Sequence, residues 1–280
     1  MTTRYLVDRE LGAGTFATVR KGWTRRELGP VALKVIKKLL SEAFSGSMVE
    51  EQRRSEIEVM ARLEHPCVTR LLDHAESFRE LVIVMEFCGG GELGSLLGSE
   101  GREGLTEQTA IFMFYQVPAS PYSPPPHQVV QAVEYLHSRG VCHRDIKPGN
   151  ILLVERSDRS LLKLADFGVS KLLSDSTVMN TLVGTPHYIA PEVIAAGRHP
   201  WDCYTVRSDC WSLGVLLYQL LSGEKPFRRM QDRPPVTVQI QQGHYDIRDP
   251  LWDGVSLEAK QLVAALLQVT LTMTTDKDQY

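Results

Sequence analysis

Residues that could handle a phosphate group and a metal ion are concentrated in two short segments near the middle of the chain. Asp145, Lys147 and Asn150 share one segment, and Asp166 opens the triplet Asp166-Phe167-Gly168 sixteen positions after Asn150. Phosphoryl transfer needs little covalent help from a protein, so the catalyst must position the reactants and neutralise charge on the phosphate oxygens. Such a reaction requires a carboxylate that meets the incoming hydroxyl, and amide and carboxylate oxygens that bind Mg²⁺.

The sequence between the two segments predicts that they meet. The apolar runs Ile151-Leu152-Leu153 and Leu161-Leu162-Lys163-Leu164 have the character of short strands, and Glu155-Arg156-Ser157-Asp158 between them is typical of a turn. Asn150 precedes the first strand of this hairpin and Asp166 follows the second. The polar side chains of both segments should therefore converge on one pocket.

Read as H-R-D-x-K-x-x-N followed by D-F-G, these residues resemble the signature of the protein kinase family. The resemblance implies that Asp145 accepts the proton of a substrate hydroxyl, with Lys147 beside it, and that Asn150 and Asp166 bind Mg²⁺. It implies ATP as the phosphoryl donor. The implied fold is α+β and two-lobed, with a small β-rich N-lobe that carries one helix and a larger, helical C-lobe.

A glycine-rich segment near the start fits this resemblance. It reads G-x-G-x-x-A-x-V from Gly12 to Val19, and Ala17 stands where the kinase pattern has a third glycine. Glycines there let backbone amides approach phosphates closely. Val31-Ala32-Leu33-Lys34 matches the V-A-I-K strand, which implies that Lys34 binds the α- and β-phosphates.

A helix is predicted from the capping box Ser47-x-x-Glu50 to about Glu64. On it, Glu56 shares a face with Met60 and Leu63, so a carboxylate lies on a largely apolar stripe. The resemblance implies that Glu56 pairs with Lys34, ten residues before Pro66. Glu58 is the alternative, and it points to a different face.

The apolar run Leu81-Val82-Ile83-Val84-Met85 predicts a buried strand, and the resemblance implies that a hinge follows it. The expected organisation is an N-lobe at 1–85, a hinge at 86–91 and a C-lobe at 92–280. The resemblance implies that Glu92 contacts ribose and a substrate arginine, whereas Gly149 replaces a glutamate common in kinases that prefer several arginines. Cys88 could be a reachable thiol or an inert one. The residues implied to contact the nucleotide are Leu11, Gly12, Gly14, Val19, Ala32, Lys34, Met85, Glu86, Cys88, Glu92 and Leu152.

Two regions depart from the family pattern. Residues 117–128 contain five prolines and interrupt what kinases form as one long helix, from Glu107 to Gln116 and then from Val129 to His137. A proline costs a helix interior about 3 kcal/mol, so the helix must break and the insert must leave it. The insert could be a P-x-x-P docking segment, or translated intron sequence in an alternative or mispredicted product of the gene.

The C-terminal end is the second departure. Residues 256–269 have the period of a C-lobe helix, but 270–280 diverge, and the arginine that kinases pair with the glutamate of A-P-E, here Glu192, is missing. Breaking such a buried pair costs about 3 to 5 kcal/mol. We therefore expect reduced stability.

The segment G-T-P-x-Y-x-A-P-E, from Gly184 to Glu192, together with Lys147, resembles serine/threonine kinases rather than tyrosine kinases. Thr181 is the candidate for activating phosphorylation, by an upstream kinase or by a second copy in trans, because Arg144 could receive the phosphate. Thr185 could brace the catalytic loop, and Asp209 could hold that loop's backbone. The loop resembles the calcium/calmodulin-dependent group, and within it the checkpoint kinase with a forkhead-associated domain. We expect no such domain here, because the lid begins at Gly12.

The chain has 280 residues, of which 43% are hydrophobic, and a net charge of −3. This composition predicts a globular protein. Because the sequence has no cluster of basic residues, we expect that it does not bind nucleic acid. No apolar run reaches the length of a membrane span, so we expect no membrane insertion. Five scattered cysteines suit a reducing compartment. We expect an intracellular protein of the nucleus or cytoplasm, with serine- or threonine-containing protein substrates.

Two hypotheses follow from these patterns. The intact motifs favour an ATP- and Mg²⁺-dependent serine/threonine kinase. The proline-rich insert and the missing arginine favour a catalytically impaired scaffold or binding protein.

Overall fold

The computed structural model describes residues 4–13, 17–25, 29–37, 57–58, 60–97, 104–115, 129–166, 186–196, 204–248 and 250–269. Several predictions fall outside these residues: those for Gly14, Glu56, Phe167, Gly168, Thr181 and Thr185, the capping box Ser47-x-x-Glu50, the insert at 117–128 and the tail at 270–280.

A five-stranded antiparallel sheet forms the N-terminal lobe. Its strands are β1 (Tyr5–Ala13), β2 (Ala17–Thr24), β3 (Pro30–Lys37), β4 (Leu71–Glu76) and β5 (Glu80–Glu86), in the order β1-β2-β3-β5-β4. The interior strands β3 and β5 are rich in β-branched residues, and Val31, Ile36 and Ile83 are buried. β-branched residues favour strands because their side chains pack well on a pleated, buried surface. The predicted strand at 81–85 is thus confirmed.

The helix of this lobe ends earlier than predicted. Residues 57–58 and 60–61 are helical, and Ile57 and Met60 are buried against the sheet's core. The last backbone bond runs from Leu63 N to Met60 O at 3.2 Å, which is a tightened turn rather than another helical one. This tightened turn ends the helix near Ala61 rather than at Glu64, and Pro66 further disfavours helical conformation at His65.

The C-terminal lobe is helical. Its helices are α1 (Gly94–Leu97), α2 (Glu107–Phe114), α3 (Val129–Ser138), α4 (Pro191–Ala195), α5 (Val206–Ser222), α6 (Val236–Gln242) and α7 (Leu257–Leu266). A small antiparallel sheet faces the N-lobe, with strands β6 (Gly91–Glu92), β7 (Ile151–Leu153) and β8 (Leu162–Leu164) in that order. The predicted hairpin is therefore confirmed, with its second strand beginning at Leu162. The fold is α+β and two-lobed, as the resemblance implied.

Helix α5 is the centre of the C-lobe. Thr205 and Ser208 form a capping box at its start, and Gly223 ends it with φ of 75°, a left-handed conformation that glycine adopts without strain. A Cβ at Gly214 would lie 2.8 Å from Leu266 Cβ, so glycine is needed where α5 and α7 cross. This close packing holds α5, which carries Asp209 in its first turn, against α7.

The long helix of the family pattern is broken, as predicted. Helix α2 ends at Phe114, and Tyr115 is extended with φ of −148° and ψ of 94°. Helix α3 begins at Val129, a buried residue. Helix α7 ends at Leu266, three residues before the predicted Val269. Within the ranges that the structure describes, no helix combines the length and apolar character needed to cross a membrane.

Candidate active site

The loop that carries Asp145 is held from behind by one buried carboxylate. Asp209, in the first turn of α5, accepts hydrogen bonds from His143 N through Oδ2 and from Arg144 N through Oδ1, each at 2.8 Å. His137 Nε2 also lies 2.8 Å from Asp209 Oδ2. The sequence interpretation that Asp209 holds this loop's backbone is confirmed by these contacts.

Two residues of the site adopt left-handed backbone conformations. Arg144 has φ of 70° and Asp166 has φ of 61°, and they are the only non-glycine residues with positive φ in the described part of the chain. This conformation is uncommon outside glycine and persists only where the surroundings impose it. Asp209 supplies that restraint for Arg144. The unusual backbone conformations therefore occur at Arg144, next to Asp145, and at Asp166 itself.

Asp145 is oriented by two donors. Lys147 Nζ and Asn150 Nδ2 each lie 2.7 Å from Asp145 Oδ2, and Asn150 Nδ2 also donates to Asp145 O at 2.7 Å. The Asp145 side chain is 33% exposed. One carboxylate oxygen is thus fixed while the group still faces solvent. A proton acceptor for a bound hydroxyl needs this combination.

Asn150 is suited to bind a hard cation. Its two amide hydrogens are directed at Asp145, which leaves the amide oxygen as the group that could accept or ligate. Ala165 N donates to Asn150 O at 2.8 Å, so this backbone bond ties the loop to the segment that delivers Asp166. An amide oxygen and a carboxylate on adjoining segments are the donor set that Mg²⁺ favours.

Asp166 contacts the lysine of the other lobe. Lys34 Nζ lies 2.7 Å from Asp166 Oδ1, and the lysine side chain is only 11% exposed. The sequence paired Lys34 with Glu56, which lies outside the described residues, so that prediction stays untested. The contact with Asp166 was not predicted. A lysine at this point is placed to meet phosphate oxygens once a nucleotide competes for it.

His143 connects the catalytic loop to the same segment. It is fully buried, and its Nε2 donates to Ala165 O at 2.9 Å. Since the carbonyl can only accept, the hydrogen is on Nε2, and Nδ1 accepts from Asp145 N at 3.2 Å. Burial lowers the pKa of His143, although Asp209 and the Ala165 carbonyl oppose the shift. The ring is therefore neutral, and it links the backbone of Asp145 to Ala165, the residue before Asp166.

The predicted nucleotide-contacting residues lie where the two sheets approach each other. Val19 pairs with both Gly12 and Lys34, and Ala32 pairs with Met85. In the small sheet, Leu152 pairs with Glu92. Leu11 precedes Gly12 on β1 and is exposed. Strand register thus places Gly12, Val19, Ala32, Lys34 and Met85 on adjacent strands of one sheet and Glu92 beside Leu152 in the other. Gly14 remains outside the described residues.

The hinge carries an ion pair that the sequence analysis missed. Glu86 Oε1 accepts from Lys163 Nζ at 2.9 Å and from Arg70 N at 2.7 Å, and Glu86 N donates to Arg70 O at 3.1 Å. Lys163 lies on β8, next to Leu152 across the strands. The pair therefore links the floor of the small sheet to the first hinge residue. Lys163 was visible in sequence as a lone charge in an apolar strand.

Cys88 and Glu92 follow β5, in the predicted hinge and on β6. Burial raises the pKa of the Cys88 thiol to about 11, with a further contribution from Glu86, so the thiol is protonated at neutral pH. This favours the inert alternative for Cys88. A Cβ at Gly149 would lie 3.5 Å from Glu92 Oε2, so the glycine stands directly beside that carboxylate.

Glu192 has a different partner from the one expected. Its Oε1 accepts a hydrogen bond from Ser208 Oγ at 2.8 Å, and the glutamate is half-buried. Among the described residues no cation pairs with it. A neutral donor from the start of α5 thus bonds the carboxylate, and the reduced stability expected from the missing arginine stays a prediction.

Comparisons with known proteins identify the family of the chain. The family model described as "Protein kinase domain" matches residues 5–273. The ovarian-specific serine/threonine-protein kinase Lok of Drosophila melanogaster is 38% identical over 268 residues, 95% of this chain and 53% of the relative. Serine/threonine-protein kinase DCLK1 of Rattus norvegicus is 36% identical over 273 residues, 97% of this chain and 57% of the relative.

A solved structure is similar as well. The crystal structure of Rad53 1-466 in complex with AMP-PNP matches with a TM-score of 0.73 and 31% sequence identity, covering 96% of this chain and 62% of that one. The chain spans a little over half of the length of the two curated relatives named above.

Proposed function

Because the chain belongs to the protein kinase family and its relatives are serine/threonine kinases, we propose that it transfers the γ-phosphoryl group of ATP to serine and threonine hydroxyls of protein substrates. The observation that carries this proposal is the carboxylate of Asp145. It is held by Lys147 and Asn150 at 2.7 Å in the same cleft as the Lys34–Asp166 pair.

In the proposed reaction, the hydroxyl oxygen of the substrate attacks the γ-phosphorus of ATP while Asp145 accepts the hydroxyl proton. The bond between the γ-phosphorus and the bridging oxygen of the β-phosphate breaks, and ADP leaves. Lys147 and Asn150 keep the receiving oxygen in place. Lys34 leaves Asp166 for the α- and β-phosphates, which stabilises charge on the nucleotide. Asn150 and Asp166 would hold Mg²⁺, which when bound neutralises charge on the phosphate oxygens.

For nucleotide binding, we assign the adenine to the space between the two sheets. Leu11, Val19, Ala32, Met85 and Leu152 would supply apolar contacts. The backbone of Glu86 and Cys88 would bind the adenine edge, and Glu92 would bind ribose. Gly12 and Gly14 would cover the phosphates, and Glu56 would pair with Lys34 in the active state. The neutral Cys88 thiol and the anchored Glu86 side chain support this use of the hinge backbone.

We also propose control through the activation segment, with Thr181 phosphorylated by an upstream kinase or by a second copy of the chain. Arg144, fixed by Asp209 beside Asp145, would receive the phosphate. Thr181→Ala should stay at basal activity under conditions that activate the parent chain, whereas Thr177→Ala in the same segment should activate normally. A role in checkpoint-type signalling inside the cell is part of this proposal, and it rests on the resemblance of the activation segment to that group of kinases.

The decisive experiment is a phosphotransfer assay. The purified chain is incubated with Mg-ATP and an arginine-containing peptide that carries one serine, and an Asp145→Asn variant serves as the control. Removing the base should lower the rate by two to four orders of magnitude while nucleotide binding persists. Equal signal from both proteins would instead favour the scaffold alternative.

A further inference from the structure

Behind the catalytic loop, three side chains from different segments offer metal-ligand atoms to a common point. His137 is near the end of α3, Cys142 precedes the catalytic loop, and Asp209 is in α5. One ligand atom of each, a ring nitrogen, a thiol sulfur and a carboxylate oxygen, lie within 4.8 Å of one another. His137 and Cys142 are half-buried, so an ion could enter from their side, while Asp209 forms the buried base of the cluster.

We propose that His137, Cys142 and Asp209 form a binding site for a borderline-soft divalent cation, with Zn²⁺ as the best match. Zn²⁺ combines imidazole, thiolate and carboxylate ligands, whereas Mg²⁺ selects oxygen atoms alone. The thiol proton of Cys142 passes to solvent when sulfur ligates. In the ion-free chain His137 Nε2 donates to Asp209 Oδ2, so its proton also passes to solvent and the ring keeps or takes up a hydrogen on Nδ1, which frees the Nε2 lone pair for the ion. Water fills the fourth position.

The distances require only small movements. A tetrahedral ion with bonds of about 2.0 to 2.3 Å holds its ligand atoms about 3.3 to 3.8 Å apart. His137 Nε2 and Asp209 Oδ2 are 2.8 Å apart, so this pair must open by about half an ångström. The sulfur must approach by no more than about 1.5 Å, since all atoms already lie within 4.8 Å.

The site would be inhibitory, because it shares an oxygen with the support of the catalytic loop. Asp209 Oδ2 accepts from His143 N at 2.8 Å, and Oδ1 accepts from Arg144 N at 2.8 Å. An ion that ligates Oδ2 competes with His143 N and turns the carboxylate away from the loop. Arg144, whose φ is 70°, then loses a restraint next to Asp145. This consequence, unlike the binding itself, rests on the proposed kinase activity.

Binding is tested with Co²⁺, which reports a thiolate ligand by a charge-transfer band in the near ultraviolet. One equivalent of Co²⁺ should produce the band in the parent chain, and Zn²⁺ should abolish it. Cys210→Val, which removes the half-buried cysteine next to Asp209, should keep the band. Cys142→Val should lose it, and Cys142→Ala provides a second variant if valine impairs folding. A band that persists in the Cys142 variants, or none in the parent, overturns the site whether or not the chain is active.

Inhibition is tested at a fixed excess of Mg-ATP. Zn²⁺ should lower the phosphotransfer rate of the parent chain about tenfold, and a chelator should restore it. The Cys142→Val variant should keep its rate in the same Zn²⁺ concentration. Equal inhibition of both proteins, alongside the cobalt band, would show that zinc inhibits at another position and that the inhibitory role of this site is wrong.

Discussion

Lys34 Nζ lies 2.7 Å from Asp166 Oδ1, so a lysine of the N-lobe sheet contacts the carboxylate that follows the last strand of the C-lobe hairpin. The two side chains differ in exposure, at 11% for the lysine and 34% for the aspartate. The contact thus joins the lysine that is predicted to bind the α- and β-phosphates to the carboxylate that is predicted to bind Mg²⁺. In the proposed reaction Lys34 therefore leaves Asp166 for the phosphate oxygens.

The first prediction concerns this lysine. Lys34→Met should lower the phosphotransfer rate by two to three orders of magnitude, because a positive charge directed at the developing negative charge is lost. The Kd of Mg-ATP, measured by calorimetry, should rise. Lys37→Met, at the exposed end of the same strand, should leave the rate within a factor of two. A rate for Lys34→Met close to that of Lys37→Met would contradict the role of Lys34.

The second prediction concerns the hinge pair of Lys163 and Glu86. Lys163→Met should raise the KM for ATP about fivefold and leave kcat within a factor of two, because the pair orients the hinge backbone rather than the reacting atoms. Combined with Glu86→Gln in a double-mutant cycle, it should show a coupling energy of about 1 kcal/mol. Lys163→Arg should restore most of the affinity. A loss confined to kcat would exclude this positioning role.

The third prediction concerns pH. The buried His143 has a lowered pKa in the folded chain, so below about pH 6.5 the unfolded chain binds a proton that the folded chain excludes. Its contribution to stability is therefore complete above pH 6.5 and declines as the pH falls from 6.5 towards the folded pKa. The unfolding midpoint of the parent should fall over this range. His143→Gln should show a flatter profile, whereas exposed His74→Gln should follow the parent.

The fourth prediction concerns the hydrogen bond between Ser208 and Glu192. Ser208→Ala removes the donor to Glu192 Oε1 and the acceptor for Thr205 N in the capping box of α5. The free energy of unfolding should fall by about 2 kcal/mol in urea titrations. In a Glu192→Ala background the cost of Ser208→Ala should be smaller by about 1 kcal/mol. Equal costs in both backgrounds would mean that the two side chains do not interact.

The fifth prediction concerns Cys88. With a pKa of about 11, its thiol is almost entirely protonated at pH 8. It should react with iodoacetamide about two orders of magnitude more slowly in the folded chain than in urea, where the pKa is about 8.5. Mass spectrometry of the peptide that contains Cys88 measures both rates. Equal rates would show that the hinge does not shield this thiol.

The sequence alone predicted the features that are local or periodic. The apolar runs at 151–153 and 161–164 correspond to the two strands of one hairpin, the second of which begins at Leu162. The prolines at 117–128 predicted the end of a helix before them. Both effects act on neighbouring backbone. It also predicted that Asp145, Asn150 and Asp166 would share a pocket. Spacing along a hairpin constrains position without any knowledge of distant packing. The helix ends at Ala61 and Leu266 were each misplaced by three residues, because tightened turns and nearby packing decide them.

Only the tertiary structure decided which charged groups pair across the chain. Lys34 pairs with Asp166, Lys163 pairs with Glu86, and Ser208 donates to Glu192, although the partners of each pair are far apart in sequence. His137, Cys142 and Asp209 likewise come from three segments that local patterns do not connect. Such contacts depend on how α5 packs behind the catalytic loop and how the two sheets face each other. A linear pattern of residues specifies the elements, whereas the packing between elements selects the partner of each side chain.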